Sequence, residues 1–305
     1  MTTDISIDAL LPPAMAAKAE DIGLVKARLG TRRMFALAVL AGAFISMGAI
    51  FATTVSAGAM AVKGADGALA FSTGLPYGIV RLLSGLVFTL GLILVIVGGS
   101  ELFTGNNLIV MAFASGKVTL GQLVRNWVIV YLGNFAGSVA TAFVVFLSKQ
   151  YTFGGGAIGL NVLNTGEAKT SLEFVQAIAL GILCNALVCL AVWLCFSARS
   201  TTDRILSIVP PIAAFVAAGF EHSIANMYFI PVALFVKYWG DPSFFQGIGK
   251  TAADFPHLTL GGFFIANLIP VTIGNIIGGA FMVGLVYWFI YLRRPVTPSA
   301  PLVQP

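Results

Sequence analysis

The chain has 305 residues, 58% of them hydrophobic and only 10% charged, with a mean hydropathy of +0.95. A soluble domain carries about 25% charged residues, and no sphere of this length could hide so much apolar surface from water. Secreted disulfide scaffolds, coiled coils, disordered chains and ordinary cytosolic enzymes are therefore excluded, and lipid must be part of the solvent.

The net charge of +5 and the isoelectric point near 9.2 do not indicate nucleic acid. Lys and Arg lie between apolar runs, where they flank membrane spans instead of building one basic face. Residues 1–30 lack the plan of a signal peptide: Asp4 and Asp8 stand where a basic region belongs, and Pro12–Pro13 interrupts. Their mixture of apolar residues with Lys18, Glu20, Asp21, Lys26 and Arg28 predicts an amphipathic segment. Such a segment lies on the cytoplasmic membrane surface as an anchor, or alternatively gates the mouth beside it.

A spanning helix needs about 20 apolar residues to cross about 30 Å of hydrocarbon. Six runs meet that length, near 34–58, 79–115, 122–148, 171–197, 205–238 and 259–292. The second and fifth are anomalous. As a single helix 79–115 would extend roughly 55 Å, yet it is too short for two spans and a turn. Each also carries a polar string within it, Gly98–Asn107 in one and Glu221–Asn226 in the other. Ionisable groups at membrane depth, and non-helical backbone there, are tolerated only facing protein or a watered path. Both runs are thus expected to be broken helices whose loops turn inward.

With six spans, 11 of the 17 basic residues fall on the side of the two termini, including every arginine except Arg81. The positive-inside rule places both termini in the cytoplasm. Cys184, Cys189 and Cys195 fall within one apolar run at no metal or redox spacing and read as packing residues.

The halves of the chain repeat in order. Phe35, Ala38 and Gly42 match Phe174, Ala177 and Gly181; Gly99, Glu101 and Asn106 match Gly219, Glu221 and Asn226. Asn126, Gly133, Asn134 and Gly137 match Asn267, Gly274, Asn275 and Gly278. Three spans per copy is an odd number, so the second copy is inverted, and both interruptions converge on one path at the repeat interface. The expected architecture is all-α, a six-helix channel domain over 31–294 built from repeats at about 31–150 and 170–294. A polar tail, 295–305, follows.

His222 lies in the second interruption, beside Glu221 and, by symmetry, opposite Thr104. That placement favours a path-lining role over a merely satisfied core histidine, whereas His257 reads as solvated. Glu101 and Glu221 are read as caps of freed backbone N–H groups in preference to a cation site or proton relay. Asn134 and Asn275 read as interhelical hydrogen-bond partners, and the glycines beside them as close-packing positions. One histidine adjacent to one glutamate is no metal ligand set, and no cofactor motif is present. A hydrolase built on Ser223 and His222 is disfavoured, since chain neighbours rarely reach attack geometry and no third group is evident. A water or neutral-solute channel is a closer rival, although neither interruption contains Asn-Pro-Ala.

The strings Glu101-Leu-Phe-Thr104, Gly219-Phe-Glu-His-Ser-Ile-Ala-Asn226-Met and Ile269-Pro-Val-Thr-Ile-Gly-Asn-Ile-Ile-Gly278 resemble the formate/nitrite transporter family, over about residues 10–294. Leu-Leu-Pro near the start and Leu160-Asn-Val-Leu fit the same family. The resemblance implies an aquaporin-like protomer in a homopentamer of the bacterial inner membrane, passing formate and related small monovalent anions and needing no cofactor. Nitrite and hydrosulfide are the alternatives within the family. It also implies that His222 and Thr104 form the centre of the path and that Phe88, Leu92 and Phe215 form its apolar constrictions. Lysine at the outer approach would be Lys169, and the family's asparagines fall on Asn185 and Asn226.

Overall fold

The computed structural model describes residues 8–57, 62–63, 69–71 and 75–293. Residues 1–7 with Asp4, and Arg294 with the expected tail 295–305, lie outside the described residues. Among the described residues the regular structure is helical apart from one short antiparallel pair, β1 (Val62–Lys63) and β2 (Leu69–Phe71).

The helices are α1 (Pro12–Ala27), α2 (Thr31–Ser56), α3 (Tyr77–Gly98), α4 (Phe103–Ala114), α5 (Leu120–Leu147) and α6 (Ala157–Thr170). After them come α7 (Phe174–Ser197), α8 (Thr201–Ala218), α9 (Ser223–Trp239), α10 (Pro242–Gly247) and α11 (Gly262–Tyr291). Six of these, α2, α3, α5, α7, α8 and α11, are long and apolar enough to cross a membrane. Local chemistry sets several starts. Thr119 and Gln122 form a reciprocal capping box at α5, Ser200 and Asp203 form another at α8, and proline opens α1 and α10.

The two anomalous runs break as expected. Gly99 (φ +80°) ends α3 and Gly219 (φ +78°) ends α8, both in the left-handed region that glycine enters without a Cβ clash. Each helix is already long enough to cross, so the breaks fall at their ends, and shorter apolar helices α4 and α9 follow.

The repeat is larger than three spans. Helix α1 corresponds to α6, α2 to α7, the α3–α4 pair to α8–α9, and α5 to α11. Matching hydrogen bonds fix the register: Glu101 N–H donates to Leu37 O as Glu221 N–H donates to Leu180 O, each at 3.3 Å. Ala38 thus answers Gly181, one helical turn from the Ala177 expected from the sequence, because chance small residues recur along both helices. The matches between α3–α4 and α8–α9 and between α5 and α11 hold.

Helix α1 does not lie apart at a surface. Met15, Ala16, Ala19, Glu20, Gly23 and Ala27 are buried, and Lys117 binds Glu20 at 2.7 Å. Ser197 and Arg199 donate to the carbonyls of Leu10 and Asp8, and Lys18 donates to Phe196 O. The expected segregation of apolar from polar residues is weak, since Val25 is exposed and Glu20 buried, and the face that is covered packs on protein.

Glycine brings the inner helices together. A methyl group added at Gly137 would land on the carbonyl oxygen of Val39, and one at Gly278 on that of Ile182. Gly137→Ala is therefore expected to lower the thermal stability of the detergent-solubilised protein by about 1–3 kcal/mol. Gly78→Ala, at a position with open space around it, should leave the same melting curve in place.

Candidate functional site

Freed backbone at the two interruptions has to find partners within the protein, and buried asparagines supply them. Asn134 Oδ1 accepts Phe103 N–H at 2.9 Å, while its Nδ2 donates to the carbonyls of Ala38 and Glu101 at 2.8 and 2.9 Å. Asn275 repeats the arrangement: Oδ1 accepts Ser223 N–H at 2.9 Å and Nδ2 donates to Gly181 O and Glu221 O at 2.8 and 3.0 Å. Both asparagines are fully buried.

The expectation that Glu101 and Glu221 cap these N–H groups is corrected by this geometry. Asparagine fills that place, and the carboxylates turn instead to lysine. Glu101 binds Lys26 Nζ at 2.9 Å and Asn106 Nδ2 at 2.7 Å, and Asn106 continues to Asn126 Oδ1 at 2.9 Å. Glu221 binds Lys169 Nζ at 2.7 Å and Asn226 Nδ2 at 2.6 Å, and Asn226 continues to Asn267 Oδ1 at 2.7 Å. Each circuit closes on the lysine's own carbonyl, through Asn126 to Lys26 O and Asn267 to Lys169 O. A buried carboxylate keeps its charge only when paired and fully hydrogen-bonded, and these circuits do both.

Lys26 is the residue that sequence reasoning missed. A signal was present, since Gly23-x-x-Lys26 before the first span repeats as Gly166-x-x-Lys169 before the fourth. The circuits are not identical, and Asn267 Nδ2 also lies 3.2 Å from Glu221 Oε2. Lys26 also donates to Asn106 Oδ1 at 2.9 Å, whereas Asn226 Oδ1 has no partner among the described residues.

Two cavities reach toward each other from the two circuits. The α1-side vestibule, about 620 Å³, is lined by Lys26, Leu92, Glu101, Leu102 and Asn106 among others. The α6-side vestibule, about 560 Å³, is lined by Phe88, Lys169, Phe215, Glu221, His222 and Asn226 among others. Between them Phe88, Leu92 and Phe215 are each at most 3% exposed. The Phe88 and Phe215 rings meet edge to face at 5.7 Å, and Phe215 stacks on His222 at 5.9 Å. The structure thus brings together all three apolar residues singled out from the sequence.

His222 occupies the N-cap of α9, its Nδ1 accepting the backbone N–H of Ala225 at 3.0 Å. A nitrogen that accepts carries no proton, so the cap assigns the ring proton of neutral His222 to Nε2. That nitrogen lies 3.0 Å from Thr104 Oγ1 and donates to it, leaving the hydroxyl proton free to turn elsewhere. The pair is not symmetric in the way the sequence suggested. The position matching His222 is Leu102, and the position matching Thr104 is Ile224, as the Phe103 and Ser223 N–H bonds show.

The remaining residues fall outside this centre. The Asn226 side chain belongs to the Glu221 circuit, and its backbone N–H donates to His222 O at 2.9 Å, so it meets His222 only through the main chain. Asn185 lines neither vestibule: its Nδ2 lies 2.6 Å from Asn275 O, 2.9 Å from Asn107 Oδ1 and 3.3 Å from Thr104 O, so it braces the segment that carries Thr104. His257 is exposed but engaged, with Nδ1 2.6 Å from Glu167. Among the described residues no group of histidine, cysteine and acidic side chains could hold a metal ion.

Comparison with known proteins gives a consistent result. The sequence profile of the formate/nitrite transporter family matches residues 13–289. The chain is 46% identical to the formate channel FocA of Escherichia coli K12, covering 96% of this chain and 99% of that one. It is 39% identical to FocA of Haemophilus influenzae, covering 92% and 94%. Among solved structures, a pentameric formate channel with formate bound aligns at a TM-score of 0.78 and 45% identity, covering 86% of this chain and 98% of that one. An FNT family ion channel aligns at 0.73 and 28% identity, covering 91% and 98%.

Asn134→Ala and Asn275→Ala each strand an interruption N–H and two carbonyls. Each is expected to cost about 1–3 kcal/mol or more of stability, read as a fall in melting temperature in detergent. His222→Ala removes the cap of α9 together with the Thr104 hydrogen bond and the ring stacked on Phe215, and should cost at least about 0.5–2 kcal/mol by the same measurement.

Proposed function

The chain belongs to the formate/nitrite transporter family, and from that premise we propose that it is a membrane channel for formate and related small monovalent anions. The observation that carries this reading is the pair of lysine-bearing vestibules separated by an apolar plug with a single polar pair at its edge. The lysine at each mouth is charge-paired with a glutamate, and what it offers an arriving anion is N–H donors. Lys169 spends one of its three N–H bonds on Glu221 and so keeps two for an entering carboxylate.

A bare anion entering the Phe88–Leu92–Phe215 plug would lose its hydration at a cost of several kcal/mol. His222 Nε2–H and the Thr104 hydroxyl are the donors that offset this loss. As the anion arrives, their mutual bond opens and both protons turn toward it. Neutral His222 acts as a hydrogen-bond donor in this scheme. Charging the ring would put a proton on Nδ1, facing the N–H of Ala225, and would break the cap of α9. A proton that crosses with formate as formic acid therefore comes from the vestibule water and not from the ring. The chain acts without chemistry on its cargo and is not an enzyme.

Five copies form the assembly, by likeness to the pentameric structure, with one path in each protomer. Broad apolar faces, including Leu132, Ile265, Phe281 and Phe289, are available for neighbouring copies and for lipid. The excess of arginine on the side of α1 orients both ends of the chain to the cytoplasm of the inner membrane.

Formate uptake into proteoliposomes against pH tests the scheme. His222→Ala should lower flux at least about tenfold, equivalent to a loss of about 1.4 kcal/mol of stabilisation at the constriction. His222→Asn keeps an N–H donor without a titrating ring, and should retain more flux than alanine with the native pH profile. An asparagine variant with the native rate but a lost pH dependence would establish imidazolium as the donor and overturn the neutral-ring scheme. Absence of formate flux in the native chain, with water permeability in its place, would overturn the function.

A further inference from the structure

Helix α8 ends at the α6-side vestibule, and the last carbonyls of a helix carry the negative end of its dipole. That polarity is wrong for an anion path. Internal bonds satisfy only part of it: Phe220 N–H donates to Phe215 O at 3.0 Å and Gly219 N–H to Val216 O at 3.1 Å. The rest is met from another helix. Arg81, in the second turn of α3, donates from Nε to Ala217 O at 3.2 Å and from Nη2 to Val216 O. The guanidinium also rests against Gly219, where a Cβ would come within 3.4 Å of it.

The charge balance of the vestibule depends on this residue. Its charged lining consists of Arg81, Lys169 and Glu221, with His222 neutral. Lys169 and Glu221 pair at 2.7 Å, whereas Arg81 contacts only carbonyl oxygens among the described residues. The excess positive charge at this mouth is therefore that of Arg81. Two of its five N–H groups are committed and three remain for the vestibule. The other vestibule has no such device: the position matching Arg81 is Thr201, and no lysine or arginine among the described residues bonds the carbonyls of Ile96 or Val97 at the end of α3.

Resting on the anion-channel reading, we infer that Arg81 is the anion-capture residue of the α6-side vestibule. It masks the carbonyl end of α8 and supplies the net charge that concentrates small carboxylates ahead of the constriction. Lysine at position 81 keeps the charge, whereas glutamine keeps donors for the carbonyls without it.

The first measurement does not depend on formate passage. Cysteine placed at Ala168, an exposed position lining this vestibule, is reacted with anionic sulfonatoethyl and cationic trimethylammonioethyl methanethiosulfonate reagents. Arg81→Gln should lower the anionic-to-cationic rate ratio by about three- to tenfold, and Arg81→Lys should stay within about twofold of native. The second is formate flux against concentration. Arg81→Gln should raise the half-saturating concentration by a similar factor, and potassium gluconate should raise it in the native chain while leaving the glutamine variant nearly unaffected. Unchanged reagent ratios in Arg81→Gln would overturn the inference and leave Arg81 as a brace for α8. Equal loss of maximal flux in both variants, at unchanged half-saturation, would do the same. A native chain that carries no formate yet shows the shifted ratio would sink the transport reading and keep the vestibule assignment.

Discussion

The structure depends on one constraint: within the bilayer, a peptide group released from a helix must find its partner in the protein. Asn134 and Asn275 meet it. Each is a buried amide whose oxygen takes one N–H and whose nitrogen serves two carbonyls, on an α2 or α7 residue and on the interruption itself. Such a side chain clamps three segments at once, and a hydrophobic residue of similar size would leave all three groups unpaired. The close glycine contacts follow from the same requirement. Asparagine reaches the neighbouring carbonyl only because the helices touch backbone to backbone at Gly42, Gly133, Gly181 and Gly274.

Once the breaks are held, the glutamates are released for another purpose. A carboxylate capping N–H groups would place its charge at the helix start. In the lysine circuits it instead holds an ammonium at each mouth, with asparagines filling its remaining lone pairs. The cost of desolvating four charges is offset by pairing them, and the pairs remain beside the vestibules, where water still reaches.

The symmetry fails at the centre. The frame is duplicated down to individual hydrogen bonds, but a symmetric centre would hold two leucines or two histidines facing each other. Here His222 stands against the Leu102 position and Thr104 against Ile224, which gives one donor pair in an otherwise apolar plug. Asn185 stands where the first half has Gly42, and its amide braces the Thr104 backbone that this pair requires. Arg81, against Thr201, breaks the symmetry once more at a single mouth.

The sequence by itself determined the membrane, the six spans, the two interruptions and the inverted repeat, because length, hydropathy and small-residue spacing are properties of the chain read in one dimension. Its strings also carried the family, and with it the expectation that His222, Thr104, Phe88, Leu92, Phe215 and Lys169 line the path. What it could not decide was which polar atom answers which. Read from the sequence, either Glu101 or Asn134 could answer the freed N–H groups, and only the packing of α5 on α2 chose asparagine. Helix α1 likewise read as a surface segment because a run of mixed polar and apolar residues does not name its partner, and tertiary contact buried one side of it on protein and left Lys18, Asp21 and Lys26 lining the first vestibule. The proton on Nε2 of His222 was the last matter left to the fold. A histidine has two nitrogens in any sequence, and only the N–H of Ala225, three residues on in a helix that begins at this point, makes them different.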